Sequence, residues 1–440
     1  MSHYDLILKN GLVYLPEQEI ITDIAVRDGK IVDIGKIDAD ATEIKDCTGL
    51  TILPGLIDTQ VHFREPGLTH KEDLETGSMS AALGGVIGFF EMPNTNPSTT
   101  SLEAINQKIE LAKSKSYTQY AFFMGAAHDN LDVLKNFEQF SGCCGVKIFM
   151  GSSTGSLLVE KDENILAVLE TVRSPISVHS EDEELLKKNL PIRDAATSAH
   201  AHEHWRSAEV AMTSTKRLLN LARKANKKVH VLHITSKDEM EFLAQNKDIC
   251  TVETTPQHLT LESPTCYDEL GTYAQMNPPI RSHSHRMGIW AGIDNGTVDI
   301  LGSDHAPHTK EEKDKGYPNS PSGMPGVQTI VPIMLNHVNQ GKLTLRKLVE
   351  LMHDNPVRIF NIANKSGIAL EQDADFTVVD MNKQITITNK MMATKSGWTP
   401  FDHKTIQGFP VKTIIQGQIV MEDGLLAKRK NLPPFEFSSH

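Results

Sequence analysis

The sequence predicts an α/β fold: a (β/α)8 barrel of the TIM type, with a small composite β-sandwich formed by both chain ends. Three observations predict it. Apolar strand-like runs at 56–62, 86–92, 119–125, 144–149, 176–179, 229–234, 250–254 and 298–303 alternate with helical patterns. Eight such runs suit a closed barrel, and no Gly-x-Gly-x-x-Gly turn follows an early strand, as a doubly wound sheet would favour. Period-two β texture flanks the region on both sides, in YDLILKNGLVYL and DIAVRDGKIVDIG before it and in DADFTVVD and VKTIIQGQIV after it. The expected division is 1–54 for the N-terminal part of the sandwich, 55–369 for the barrel and 370–440 for the C-terminal part.

The elements follow in order. Asn10-Gly11 and Asp28-Gly29 each carry a hairpin signal between short strands. From Gly55 the texture changes to strand and helix in alternation. LEAINQKIELAKSK after Thr100-Ser101 reads as a helix, and Thr100 and Glu103 have capping-box spacing at its start. Cys143 and Cys144 read as small core residues beside a strand. The charged, Gly- and Pro-rich segment 309–325 reads as a long loop, and loops of that length in a compact domain are often functional. Asp423-Gly424 marks a last turn that mirrors the N-terminal module.

Composition narrows the function. The chain has 440 residues, 39% hydrophobic and 23% charged, as an ordinary globular protein does. A net charge of -12 argues against nucleic acid, which calls for a basic stripe, yet permits a small anionic substrate in a locally positive cleft. Five cysteines in no zinc-like spacing suggest reduced thiols, so a cytoplasmic location is expected. MSHYDLILKN contains no long apolar segment, so neither a signal peptide nor a membrane span is expected.

The chemistry begins in GLIDTQVHFREPG, where Asp58, Gln60, His62 and Arg64 are each two residues apart. On a strand they share a face and project toward one place, and such a set is costly to bury without a metal or an anion. Barrel active sites lie at the C-terminal ends of the strands. Those ends supply His62 and Arg64, Asn94, Lys147, His179, His233, His258, and then Asp304 and His308. Lys147 stands inside an apolar strand between Val146 and Ile148. Burial there would lower its pKa and free a neutral amine. A neutral amine can take up carbon dioxide as a carbamate, an anionic ligand able to bridge two metals. His62, His179, His233 and Asp304 are nitrogen and oxygen ligands suited to zinc. Such a metal activates water, and Asp304 could move its proton to a leaving nitrogen. Arg64 offers a fork for a carboxylate, and Asn94 and Asn277 add neutral donors. The pattern fits attack on an amide-like carbonyl of a small anionic substrate. His200, His202 and His204 read as a loop and helix entry, and His283 and His285 as solvated.

The strings VHFREPG, EMPNTNP, GVKIFMG, VHSED, LHITS, MNPPIR and GSDHAPH, in this order, resemble dihydroorotases of the amidohydrolase superfamily. The resemblance covers nearly the whole chain. It implies reversible cyclisation of N-carbamoyl-L-aspartate to L-dihydroorotate in pyrimidine synthesis, with one or two zinc ions. It implies that His62 binds one metal, that Lys147 as a carbamate bridges two, and that His179 and His233 bind the second. Asp304 would be both ligand and general acid/base. Arg64, Asn94, Asn277 and His308 would hold the substrate, backed by Ser322 and Gly323. The implied enzyme is cytoplasmic and bacterial in type, and a homo-oligomer. The sequence departs from the family's His-x-His-x-Arg motif at Gln60, an amide where an imidazole ligand is usual. An amide oxygen is a poorer zinc ligand, so the first metal position is expected to be the weaker one.

Two other readings use the same residues. A related cyclic amidase, an allantoinase or hydantoinase, would share the metals but generally lacks the Arg64 counterpart. A non-catalytic partner of an aspartate transcarbamoylase would have lost metal ligands, whereas this chain keeps Lys147, His179, His233 and Asp304.

Overall fold

A computed structural model describes residues 3–135, 137–152 and 157–438. Among them, eight parallel strands pair in sequence order: Leu56–Val61, Val86–Glu91, Gln119–Gly125, Cys143–Phe149, Ile176–His179, Val229–Val231, Cys250–Thr254 and Ile300–Leu301. A parallel bridge between Val61 and His305 joins the last strand to the first, and His62 N donates to His305 O at 2.7 Å. The barrel expected from the alternation is therefore present.

Its packing follows from strand geometry, because alternate residues face opposite sides. Val146, Ile148, Val178, Val231 and Val252 join one apolar cluster with Val168, Leu218, Leu219, Met240 and Leu243 of the surrounding helices. Lys147 and Phe149, of the other parity, point the opposite way and touch each other. A second cluster places Phe90 edge-to-face with Phe123, Phe360 and Phe435, tying the C-terminal segment to the barrel wall.

Both chain ends build one mixed sheet. Nine of the described strands belong to it, and the two ends meet where Thr51–Pro54 pairs antiparallel with Phe376–Thr386. Asp28 and Gly29 form the turn between Glu19–Arg27 and Lys30–Gly35, with φ of 51° and 74°. Asn10-Gly11 does not turn the chain. The strand Tyr4–Tyr14 runs straight through, and the pair forms a register shift against Glu19–Arg27 instead. A Gly with a left-handed Asn suits a bulge as well as a hairpin, and the continuous apolar alternation beyond it decides for the bulge.

Two further details differ from expectation. The helix Leu102–Lys115 is capped by Ser101, whose side chain accepts from Ala104 N, so the Thr100–Glu103 spacing is not used. Segment 309–325 contains a short helix, Lys310–Lys313, closed by a Thr309–Glu312 capping box. All five cysteines are buried and unpaired. Among the described residues no helix is long and apolar enough to cross a membrane.

Candidate active site

Most of the predicted residues share one cavity, which Arg64, Asn94 and His308 do not line. Gln60, His62, Lys147, His179, His233, Asn277, Asp304, Ser322 and Gly323 line one small cavity of about 20 Å³, with Phe149 and Ala306. An adjoining cavity of about 470 Å³ shares Asn277 and Ser322 and adds Arg193, His202, Trp205 and Arg206. A larger cavity, about 1020 Å³, lies on the terminal sheet. Its charged lining is mainly carboxylate, with no imidazole, so the chemistry belongs to the barrel mouth.

The backbone is strained where these side chains are aimed. Arg64, His233 and Asp304 have φ of 65°, 38° and 44°, a region that costs non-glycine residues energy. Each sits two or three residues past the end of its strand. Gly323 has φ of 138°, and a Cβ there would lie 2.3 Å from Ala306 O, so only glycine lets the loop pass this close to the segment after the eighth strand.

Hydrogen bonds fix each group. His62 Nδ1 donates to Asn94 Oδ1 at 2.7 Å, which leaves Nε2 facing Asp304 Oδ1 at 3.2 Å. Gln60 Nε2 donates to the same oxygen at 3.3 Å. His179 Nε2 donates to Glu181 Oε2 at 2.9 Å, leaving Nδ1 3.1 Å from His233 Nε2. Glu181 also accepts from Arg206 Nε at 3.1 Å. Burial would raise the Glu181 pKa, but Arg206 and His179 outweigh it and hold the carboxyl below the ordinary range. Lys147 is buried, its Nζ 4.7 Å from the Phe149 ring centre, and no ion pair reaches it among the described residues. Burial lowers its pKa to about 7, against the partial opposition of Asp304 and Glu253.

The anion-binding candidates stand at one side. Arg64 is buried, donates from Nε to Pro307 O at 3.3 Å and lies 3.4 Å from His308 Nε2. Burial lowers its pKa to about 10, so it stays charged at neutral pH. His308 Nε2 donates to Ser322 O at 3.0 Å, and its Nδ1 accepts from Lys71 Nζ at 3.1 Å. Burial and the neighbouring cations lower the His308 pKa to about 3. The loop that carries Ser322 and Gly323 is held by Lys313, fully buried, whose Nζ donates to Pro321 O at 2.7 Å and Gly323 O at 3.2 Å.

Some residues fall elsewhere. His258 stands back from the cavity, between Thr255 Oγ1 and Pro278 O. His283 is exposed, as expected, whereas His285 is half-buried and accepts from Lys237 N. His202, set aside as a helix entry, is fully buried and contacts Asn277. Glu181 and Arg206 also belong to the site and carry little local sequence signal. The visible signal for Glu181 is its place two residues after His179 in VHSED.

The residues fit a metal. Gln60 Oε1 and His233 Nδ1 are buried without a hydrogen-bond partner, and the donor set is imidazole and carboxylate. As placed, the described residues do not form a group of three or more His, Cys, Asp or Glu close enough to hold an ion. His62 pairs with Asp304, and His179 with His233.

A model of the amidohydrolase family matches residues 51–420. A dihydroorotase of Pyrococcus abyssi is 38% identical over 404 residues, covering 91% of each chain. An allantoinase of Escherichia coli O139:H28 is 31% identical over 437 residues, covering 95% of each. The solved L-hydantoinase (dihydropyrimidinase) of Arthrobacter aurescens superposes with a TM-score of 0.92 at 28% identity, covering 97% of this chain and 98% of that one. With the family match spanning barrel and flanking strands alike, this chain belongs to the amidohydrolase family.

Proposed function

We propose that the protein is a dihydroorotase, interconverting N-carbamoyl-L-aspartate and L-dihydroorotate with loss or gain of one water. The observation that carries this reading is the buried, charged Arg64 beside His308, whose ring contacts Ser322 of the cavity lining. A neutral cyclic amide has no need of a desolvated guanidinium, whereas a carboxylate pairs with its planar fork.

The family implies a metal dependence, and the cavity residues offer candidate ligands for it. Zinc, as one or two ions, would be held at a first position by His62, Asp304 and Lys147 as a carbamate, with Gln60 beside it. A second position would use the same carbamate with His179 and His233. When bound, the metal polarises the carbonyl and lowers the pKa of water.

The chain's own residues do the rest. Arg64, His308, Asn94 and Asn277 bind and orient the acid. In the hydrolytic direction a C–O bond forms at the ring carbonyl as its C–N bond breaks. Asp304 takes the proton from water and delivers it to the departing ring nitrogen, and the reverse order closes the ring. Ser322 and Gly323 close the side facing the loop. The same reading proposes a cytoplasmic homo-oligomer, able to associate with an aspartate transcarbamoylase.

The test compares kcat/KM of zinc-supplemented protein for L-dihydroorotate, allantoin and hydantoin. L-dihydroorotate should be preferred by about a hundredfold or more, as expected for a site that pairs a buried group with its substrate. Preference for allantoin or hydantoin would make the protein a related cyclic amidase. No turnover and no bound metal would leave the scaffold reading.

A further inference from the structure

The run His200, His202, His204 is split by the fold. His200 pairs with Asp268 near the surface at 3.1 Å. His202, at the start of the short helix His202–Trp205, is fully buried. Its Nε2 lies 3.0 Å from Asn277 Oδ1, 3.1 Å from Met276 O and 3.4 Å from Ser322 Oγ. A main-chain carbonyl can only accept, so Nε2 carries the hydrogen. Nδ1 is then a bare lone pair, buried and without a partner. Burial, assisted by Arg206, lowers the pKa to about 3, so the ring is neutral and the tautomer is set by these oxygens. A buried unsatisfied nitrogen destabilises a fold, and its retention directs attention to the bond made by the opposite side of the ring.

That bond determines which way an amide faces. The two ends of an asparagine amide have nearly the same shape and opposite hydrogen-bonding character. Asn277 lines both the small cavity and the larger one next to it, while His202 lines the larger one. We propose that His202 is a positioning residue for substrate specificity: its Nε2–H holds Asn277 Oδ1 back, so that Asn277 presents only Nδ2 donors to the ligand. The pocket then accepts ligands with an oxygen acceptor at that place, a carboxylate or an imide carbonyl. It rejects ligands that present N–H there. The inference rests on the dihydroorotase reading for the identity of the acid and extends it to an otherwise unassigned residue.

The experiment measures KM, kcat and bound zinc for wild type, His202→Leu, His202→Gln, Asn277→Ala and the double variant His202→Leu/Asn277→Ala. His202→Leu should raise KM for L-dihydroorotate about tenfold, with kcat within about threefold and zinc unchanged, as for one lost buried hydrogen bond. His202→Gln, whose amide can donate to Asn277, should restore most of the affinity. In the Asn277→Ala background, His202→Leu should add nothing. An unmoved KM, effects that multiply in the double variant, or joint loss of kcat and zinc would each overturn the proposal. If wild type hydrolyses allantoin or hydantoin instead, the functional reading fails, and the same comparison is made with that substrate. A 15N spectrum of histidine-labelled wild type, assigned by difference from His202→Gln, is independent of activity and of the folding of the leucine variant. It should show His202 protonated at Nε2 and bare at Nδ1, and the opposite tautomer would contradict the proposal.

Discussion

Gln60 Nε2 donates to Asp304 Oδ1 at 3.3 Å, while Gln60 Oε1 is buried with no partner. The glutamine lines the small cavity from the first strand, where the resemblance implies an imidazole ligand. Zinc accepts three protein ligands plus water in catalytic sites, so a metal position without this residue is chemically sound but weaker. Gln60→His should tighten the weaker of two zinc affinities and leave the tighter one unchanged. Zinc titration of both proteins measures this. Two equal affinities in the wild type, unaffected by the histidine, would remove the asymmetry.

Lys147→Ala should lower zinc content and turnover together. Its ammonium has no carboxylate partner among the described residues, and burial brings its pKa to about 7, so the neutral amine is accessible near physiological pH. Short carboxylic acids should restore part of the activity by replacing the carbamate oxygens. Full zinc occupancy with normal turnover in the variant would exclude a bridging role.

Asp304→Asn should keep much of its metal and lose most of its turnover, because an amide cannot shuttle a proton. The loss should be about a hundredfold to ten-thousandfold, the usual range for general acid/base catalysis. A single-turnover assay on zinc-loaded variant separates chemistry from binding. Near-wild-type rates would assign the proton transfer to another group.

Glu181→Gln should weaken zinc at the position of His179 by about tenfold to a hundredfold, the usual effect of losing a carboxylate that orients a ligating histidine. The motive is the 2.9 Å bond from His179 Nε2, which leaves Nδ1 toward the cavity. The variant also leaves the buried Arg206 without its carboxylate, so thermal stability should fall as well. Unchanged zinc affinity with lowered stability would show Glu181 to be a partner of Arg206 alone.

Much of this arrangement is legible before folding. The barrel strands are short apolar runs whose ends carry polar residues, and burial on both faces makes that signal strong. Lys147 is conspicuous because an ammonium between Val146 and Ile148 has no place in an ordinary core. The Asn10 bulge is less legible, because Asn-Gly satisfies a bulge and a turn equally. His202 is hidden for a different reason. Its partners Met276, Asn277 and Ser322 are distant in sequence, and a histidine among other histidines before a helix carries no local mark of burial. The same holds for Arg206, which ends a short helix and whose partner Glu181 lies just past the fifth barrel strand.

One chelation experiment decides whether cyclisation of the acid requires metal held by these residues. Protein stripped of metal is assayed with N-carbamoyl-L-aspartate, then assayed again during stepwise return of zinc with the bound metal counted. With metal required, the stripped protein should form no L-dihydroorotate, and recovery should follow zinc occupancy. Undiminished cyclisation by metal-free protein, or zinc-loaded protein that never forms L-dihydroorotate, would contradict metal-dependent cyclisation.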